Sequence, residues 1–154
     1  MCWEDDVMKN GFTLIELLIS LGILGLILGI SAPFLISFNN SQELDSVTDE
    51  MVSIFRKAQT NSINGEKDAI WGIDFSQLQK YILFSDDQTG PLLDTETYEI
   101  PKSISLIVNN NRLKFEKLTG KINQNFEATL TGGNKQYKIS INQEGTIDYY
   151  KLNQ

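Results

Sequence analysis

Histidine is missing from this sequence altogether, which removes the commonest general base and the commonest metal ligand of proteins. Cysteine is nearly missing too: Cys2 stands alone, so neither an intrachain disulfide nor a cysteine-based zinc site can form. No nucleotide-binding glycine loop, EF-hand or Ser-His-Asp order is present. Charge is absent from one long stretch, since residues 17–38 contain no Asp, Glu, Lys or Arg. Together these absences exclude most catalytic classes and direct attention to the apolar run. The net charge of −7 argues against a chain built wholly around nucleic acid.

What is present begins with Lys9-Asn10-Gly11-Phe12-Thr13-Leu14-Ile15-Glu16, opening directly into that run. At about 1.5 Å per residue, a helix over 17–38 is long enough for a hydrocarbon core of roughly 30 Å. Glu16 is the one carboxylate inside the apolar segment. An acid in a membrane helix costs about 2.5–3.5 kcal/mol at mid-bilayer, and less near the interface, so it asks for a partner. The leader ahead of Phe12 has no apolar core and no small-x-small cleavage site, unlike a secretory signal peptide. Its Glu4, Asp5 and Asp6 are unusual for a cytoplasmic flank. A start at Met8 would give Met-Lys-Asn-Gly-Phe and remove that anomaly, so either Met1 or Met8 can serve as the start.

The stretch Lys9–Glu16, continued by Leu17-Leu18-Ile19, resembles the processing site of type IV prepilins and type II secretion pseudopilins. The resemblance implies that a membrane prepilin peptidase cuts after Gly11 and methylates the new amino terminus at Phe12. The fifth mature residue in that family is a glutamate, matched here by Glu16. Cutting there would free an α-amine with a pKa near 8, largely cationic at neutral pH. Mature positions one and five share a helix face. A neighbouring subunit's Phe12 amine could therefore meet Glu16 and set the axial register, which is also the role the resemblance implies. Cleavage would remove Cys2, leaving a thiol-free mature chain, whereas many major pilins close a C-terminal loop with a disulfide.

Within the apolar run, Gly25 and Gly29 form a small-xxx-small pair that lets neighbouring helices approach closely. Pro33, near the membrane exit, is expected to kink the helix or loosen its hydrogen bonds. Beyond it the spacing turns amphipathic: Leu44, Val47, Met51, Ile54, Phe55 and Ala58 step by three or four. This predicts a soluble helix over 42–64, capped near Asn64-Gly65. From residue 68 the period falls to two, predicting strands at 69–75, 80–85, 103–108, 112–118, 125–131, 136–142 and 146–151. Short joints rich in Asn and Gly predict an antiparallel meander over 68–152.

The expected organisation is a leader at 1–11, a transmembrane and filament-core helix at 12–38, and a soluble domain at 39–154. The fold class is α+β, with a long N-terminal helix packed on an antiparallel sheet. A looser likeness, carried by Phe115-Glu-Lys-Leu-Thr-Gly120 and by the stretch from Ile139 to Ile147, is to GspH/FimT-type minor pilins. Asp86, Asp87, Asp94, Glu96 and Glu99 read as a solvated acidic loop in preference to a calcium site. No cofactor or metal is expected.

The resemblance implies a structural subunit of a type IV pilus or type II secretion-like filament, and not an enzyme. Its partners would be prepilin peptidase, other pilin or pseudopilin subunits, and an inner-membrane assembly platform. It would cross the cytoplasmic membrane once, N-terminus inside, before joining an extracytoplasmic filament. Two alternatives stay open. One is a membrane-tethered DNA- or surface-binding competence-type pilin, suggested by seven basic residues between Lys102 and Lys138 against only Glu116 and Glu127. The other is an unprocessed single-pass anchor protein. Nucleic acid is the weaker partner, because Arg112 and Lys114 alternate with Leu113 and Phe115 as in any half-buried strand.

Overall fold

The computed structural model describes residues 12–87 and 94–152; the side chains of residues 30–38 and of Asp94 are outside that description. Helix α1 spans Leu14–Ile63. Eight strands follow: β1 (Ile70–Asp74), β2 (Lys80–Asp86), β3 (Asp94–Glu99), β4 (Ile104–Val108), β5 (Arg112–Phe115), β6 (Phe126–Gly132), β7 (Lys135–Ile141) and β8 (Ile147–Leu152). The chain divides into two units between Ile36 and Ser37.

In the second unit, α1 presents the anticipated stripe. Leu44, Met51, Phe55 and Ala58 are fully buried, joined by Val47, Val52 and Ile54. Helix α1 ends because Gly65 adopts a left-handed conformation (φ 62°) that residues with a Cβ resist. Just before it, the buried Ser62 hydroxyl donates to Phe115 O (3.1 Å) and accepts from the Trp71 N–H (2.9 Å). One small side chain thus joins the helix end to both β1 and β5. Gln59, a turn earlier, donates from Nε2 to Gly145 O (2.7 Å) and Gly120 O (3.1 Å).

The strands form two antiparallel sheets, ordered β3-β2-β1-β5 and β4-β6-β7-β8. This corrects the expected single meander. After β3 the chain leaves the first sheet to make β4, then returns to it as β5 before completing the second sheet. β3 is itself an unanticipated strand, so Asp94, Glu96 and Glu99 are strand residues and not loop. Its sequence Asp-Thr-Glu-Thr-Tyr-Glu lacks the apolar alternation that marks a half-buried strand. It forms because β2 offers a full register of backbone partners, from Lys80↔Glu99 to Ser85↔Asp94. β5 is also shorter than expected. The chain leaves it at Glu116, and Leu118 sits at φ 65° in the turn that follows.

Aromatic rings join the layers. Phe55 of the helix meets Phe75 and Phe126 edge-on, at centroid distances of 6.2 and 5.7 Å, while Phe75 and Phe126 stack at 5.4 Å. Tyr81 stacks on Phe75 and Tyr98 on Tyr81 (5.1 Å). The Tyr81 hydroxyl is buried with no hydrogen-bond partner among the described residues. Burial, then Glu50 and Tyr98, pushes its pKa well up. Burial likewise pushes Tyr98 up to about 12, helped by the hydrogen bond its hydroxyl donates to Glu96.

On the outer face of the first sheet, Phe84 is fully buried outside the main core. It lies against Gly72, with the Arg112 guanidinium 5.4 Å and the Lys114 ammonium 6.0 Å from its ring centroid. Arg112 pairs with Asp74, directly opposite it in register, and Lys114 pairs with Asp86 (2.7 Å). Burial would raise the Asp74 pKa, but hydrogen bonds from Ser76 and Arg112 outweigh it and hold the carboxyl below its ordinary value. Asp45 behaves alike, with Lys135 and Tyr137 overcoming burial.

A carboxylate whose folded pKa is depressed stabilises the fold above its unfolded value and loses that contribution as pH falls through the folded one. The full chain in detergent is therefore expected to lose resistance to denaturant below about pH 4. Asp74→Asn should lower the midpoint at pH 7 and converge with the parent at low pH. Denaturant titrations across pH check this. A Cβ at Gly72 would lie 2.4 Å from Leu113 O and 2.7 Å from Phe84 Cζ. Gly72→Ala is thus expected to cost about 1–3 kcal/mol, the range for overpacking, in the same assay.

Candidate functional site

Helix α1 opens on a reciprocal cap. The Glu16 N–H donates to Thr13 Oγ1 (3.3 Å), while the Thr13 N–H and hydroxyl donate to Glu16 Oε2 (3.1 and 2.9 Å). This is the capping box that Thr-x-x-Glu encodes, satisfying backbone groups that the first turn of a helix leaves without partners. From the sequence, Glu16 is expected to take its partner from another subunit; here its own chain supplies one. The signal for a local one was present, a threonine three residues ahead of a glutamate at the start of an apolar run. Neither contact to Thr13 uses Glu16 Oε1.

Around this cap the surface is apolar and open. Phe12 is 88 % exposed, and Leu14, Ile15, Leu17, Leu18, Ile19 and Leu21 are each more than half exposed. A Cβ added at Gly22, Gly25 or Gly29 would meet nothing within 4 Å. The chain's own packing therefore places no demand for glycine at these positions. Among the described residues no helix is long and apolar enough to cross a membrane. Gly11 lies outside the described residues, and Pro33 among those whose side chains are not described.

The other candidate sites give way to ion pairing. Six of the seven cations between Lys102 and Lys138 are paired with carboxylates: Arg112 with Asp74, Lys114 with Asp86, Lys117 with Asp68, Lys121 with Glu144, Lys135 with Asp45 and Lys138 with Glu127. The basic run is thus neutralised across the sheets, mostly by acids distant in sequence, and does not form an unbalanced cationic face. The acids of the expected loop are similarly engaged, Glu96 by Lys57 (2.7 Å) and Glu99 by Lys80 (3.4 Å). Among the described residues no group of three or more acidic, histidine or cysteine side chains is arranged to hold a metal.

Residues 7–32 match the family described as Prokaryotic N-terminal methylation motif. No curated protein and no solved structure matches the chain. The matched segment contains the Gly11-Phe12 junction, the Thr13–Glu16 cap and all three open glycines. Over this segment the chain carries a prokaryotic N-terminal methylation motif, the feature that the resemblance to type IV prepilins and pseudopilins rests on.

Proposed function

We propose that this chain is a minor pilin or pseudopilin, a structural subunit that prepilin peptidase cuts after Gly11 and methylates at Phe12. The observation that carries the reading is the methylation motif over residues 7–32, joined to a helix whose apolar start is exposed on every side. Apolar surface of that extent is stable only in a bilayer or against other copies of the same helix. Open space at Gly25 and Gly29 supports close helix approach in such an assembly, and Pro33 would loosen the helix near the membrane exit. The sheet domain would face outward from a single inner-membrane span. The finer likeness to GspH/FimT-type minor pilins falls on β5 with its turn and on the β7–β8 hairpin.

The capping geometry suggests how one carboxylate serves two partners. Oε2 holds its own chain's Thr13, while Oε1 would receive the methylated Phe12 amine of a neighbouring copy. A carboxylate has acceptor capacity for both. With the cap pre-setting its rotamer, Glu16 would lose little further freedom on assembly.

Co-expression with a prepilin peptidase is expected to yield a chain whose first residue is N-methylated Phe12, read by mass spectrometry of the intact N-terminus. A chain still beginning ahead of Phe12 under those conditions refutes the processing assignment. Glu16→Gln and Glu16→Ala then separate the two roles of the acid. Glutamine retains the cap but not the charge, whereas alanine retains neither. Stranding one member of a buried ion pair costs about 3–5 kcal/mol, so both variants should reduce filament incorporation by about a hundredfold or more. Wild-type incorporation of Glu16→Gln would reduce Glu16 to a helix cap.

A further inference from the structure

β4 is an edge strand with nothing charged in it. Its residues Ile104-Ser-Leu-Ile-Val108 pair with β6 on one side only. The Asn109 N–H donates to Glu127 O, which fixes the phase of that ladder. Residues 105, 107 and 109 direct their backbone groups to β6, and Leu106 and Val108 direct theirs away from it. Among the described residues no backbone partner meets the Leu106 or Val108 amide on that open side. Edge strands are normally blunted by lysine, proline or a bulge, because unpaired backbone recruits another strand. None of these devices is present within β4.

Beside this edge runs a cleft of about 340 Å³, walled on its far side by the β1–β2 turn. The wall is fixed at both ends, since the Phe75 N–H donates to Asn111 O (2.7 Å) and the Ile100 N–H to Gln79 O (2.8 Å). Two large aliphatic side chains line the cleft bare to solvent, Leu78 from the wall (91 % exposed) and Ile107 from β4 (67 %). A second cleft of about 380 Å³ shares Gln79, Lys80 and Ile100 with the first and continues to Lys102. Lys80 and Glu99 neutralise each other there. Lys102 has no ion pair among the described residues, alone of the seven cations between positions 102 and 138.

We infer that this groove binds a single extended peptide segment of another protein, uncharged over about four or five residues and ending in a carboxylate, by adding it as a strand to β4. Backbone bonds to Leu106 and Val108 would supply affinity, and the contacts of Leu78 and Ile107 would select apolar side chains. Every pairing in this sheet is antiparallel. An incoming antiparallel strand runs from the Val108 end towards Ile104, which brings its C-terminal end to Lys102. The lone cation therefore complements a terminal carboxylate or an acidic residue at that position. A single extended segment needs room for one strand only, whereas a folded sheet edge from a second copy brings its own neighbouring strand towards the side that the β1–β2 turn occupies. The groove is built wholly from the second unit, so it is indifferent to whether Gly11 is cut.

The test uses the full chain in detergent micelles and a fluorescent peptide, Val-Thr-Val-Thr-Val-Asp, followed by anisotropy. Saturable binding is expected, at least about tenfold weaker when lysine amide replaces the terminal aspartate, and lost when alternate amides are N-methylated. Lys102→Glu should reverse the preference between the two peptide ends. Leu106→Pro removes an outward N–H that β6 does not use, which edge strands tolerate, and should abolish binding while circular dichroism is retained. If that variant does not fold, Ile107→Asp serves the same purpose on an exposed side chain. Absence of saturable binding, or equal binding of the N-methylated peptide, overturns the inference. So does a concentration-dependent dimer in sedimentation that Ile107→Asp dissociates, because the occupant would then be a second copy.

Discussion

Three phenylalanine rings hold the second unit together. Phe55 stands edge-on to Phe75, the residue just past β1 of the first sheet, and to Phe126 of the second, and those two stack on one another. Each ring belongs to a different layer, so the contact closes only when helix and both sheets are in place. Aromatic pairs of this geometry contribute about 0.5–1.5 kcal/mol beyond the area they bury. With no disulfide available, packing of this kind carries the cohesion that many small secreted domains draw from covalent bonds.

Around that core, charge is used to tie strands and not to create a field. Asp74 and Arg112 face each other across β1 and β5, and Lys135 reaches from β7 to Asp45 on the helix. This distribution changes the meaning of the basic stretch. Counted along the sequence, it resembles a nucleic-acid surface. Counted in space, it is a set of local neutralisations. Surface pairs of this kind contribute little individually, about 0–1 kcal/mol. Their effect on partner choice is larger, because paired cations offer less to a polyanion.

Much of the fold was legible in residue spacing. The helix stripe from Leu44 to Ala58, its glycine stop and seven of the eight strands follow from periodicities of 3.6 and 2. What periodicity could not supply was the partition into two sheets. That depends on β5 pairing with β1 across about forty intervening residues, a long-range choice with no local signature. β3 was hidden for a related reason: a polar edge strand forms because its neighbour offers backbone partners, not because its own residues alternate. At the N-terminus the Gly11, Phe12 and Glu16 spacing marks the methylation motif, while Thr13, three residues ahead of Glu16, supplies that acid with its partner in the first turn. A carboxylate entering a helix is within reach of its own chain before it meets any neighbour.

Gln59 extends this logic to the last turns of α1. Its single amide nitrogen spends both hydrogens on carbonyls of two separate glycine turns, at Gly120 and Gly145, and the chain between those turns includes the whole of β6 and β7. Each of those hydrogens can be replaced by deuterium when its own turn parts from the helix, so the pair reports on the two turns side by side. Equal replacement rates at the two would mark a single cooperative opening, and unequal rates two separate ones.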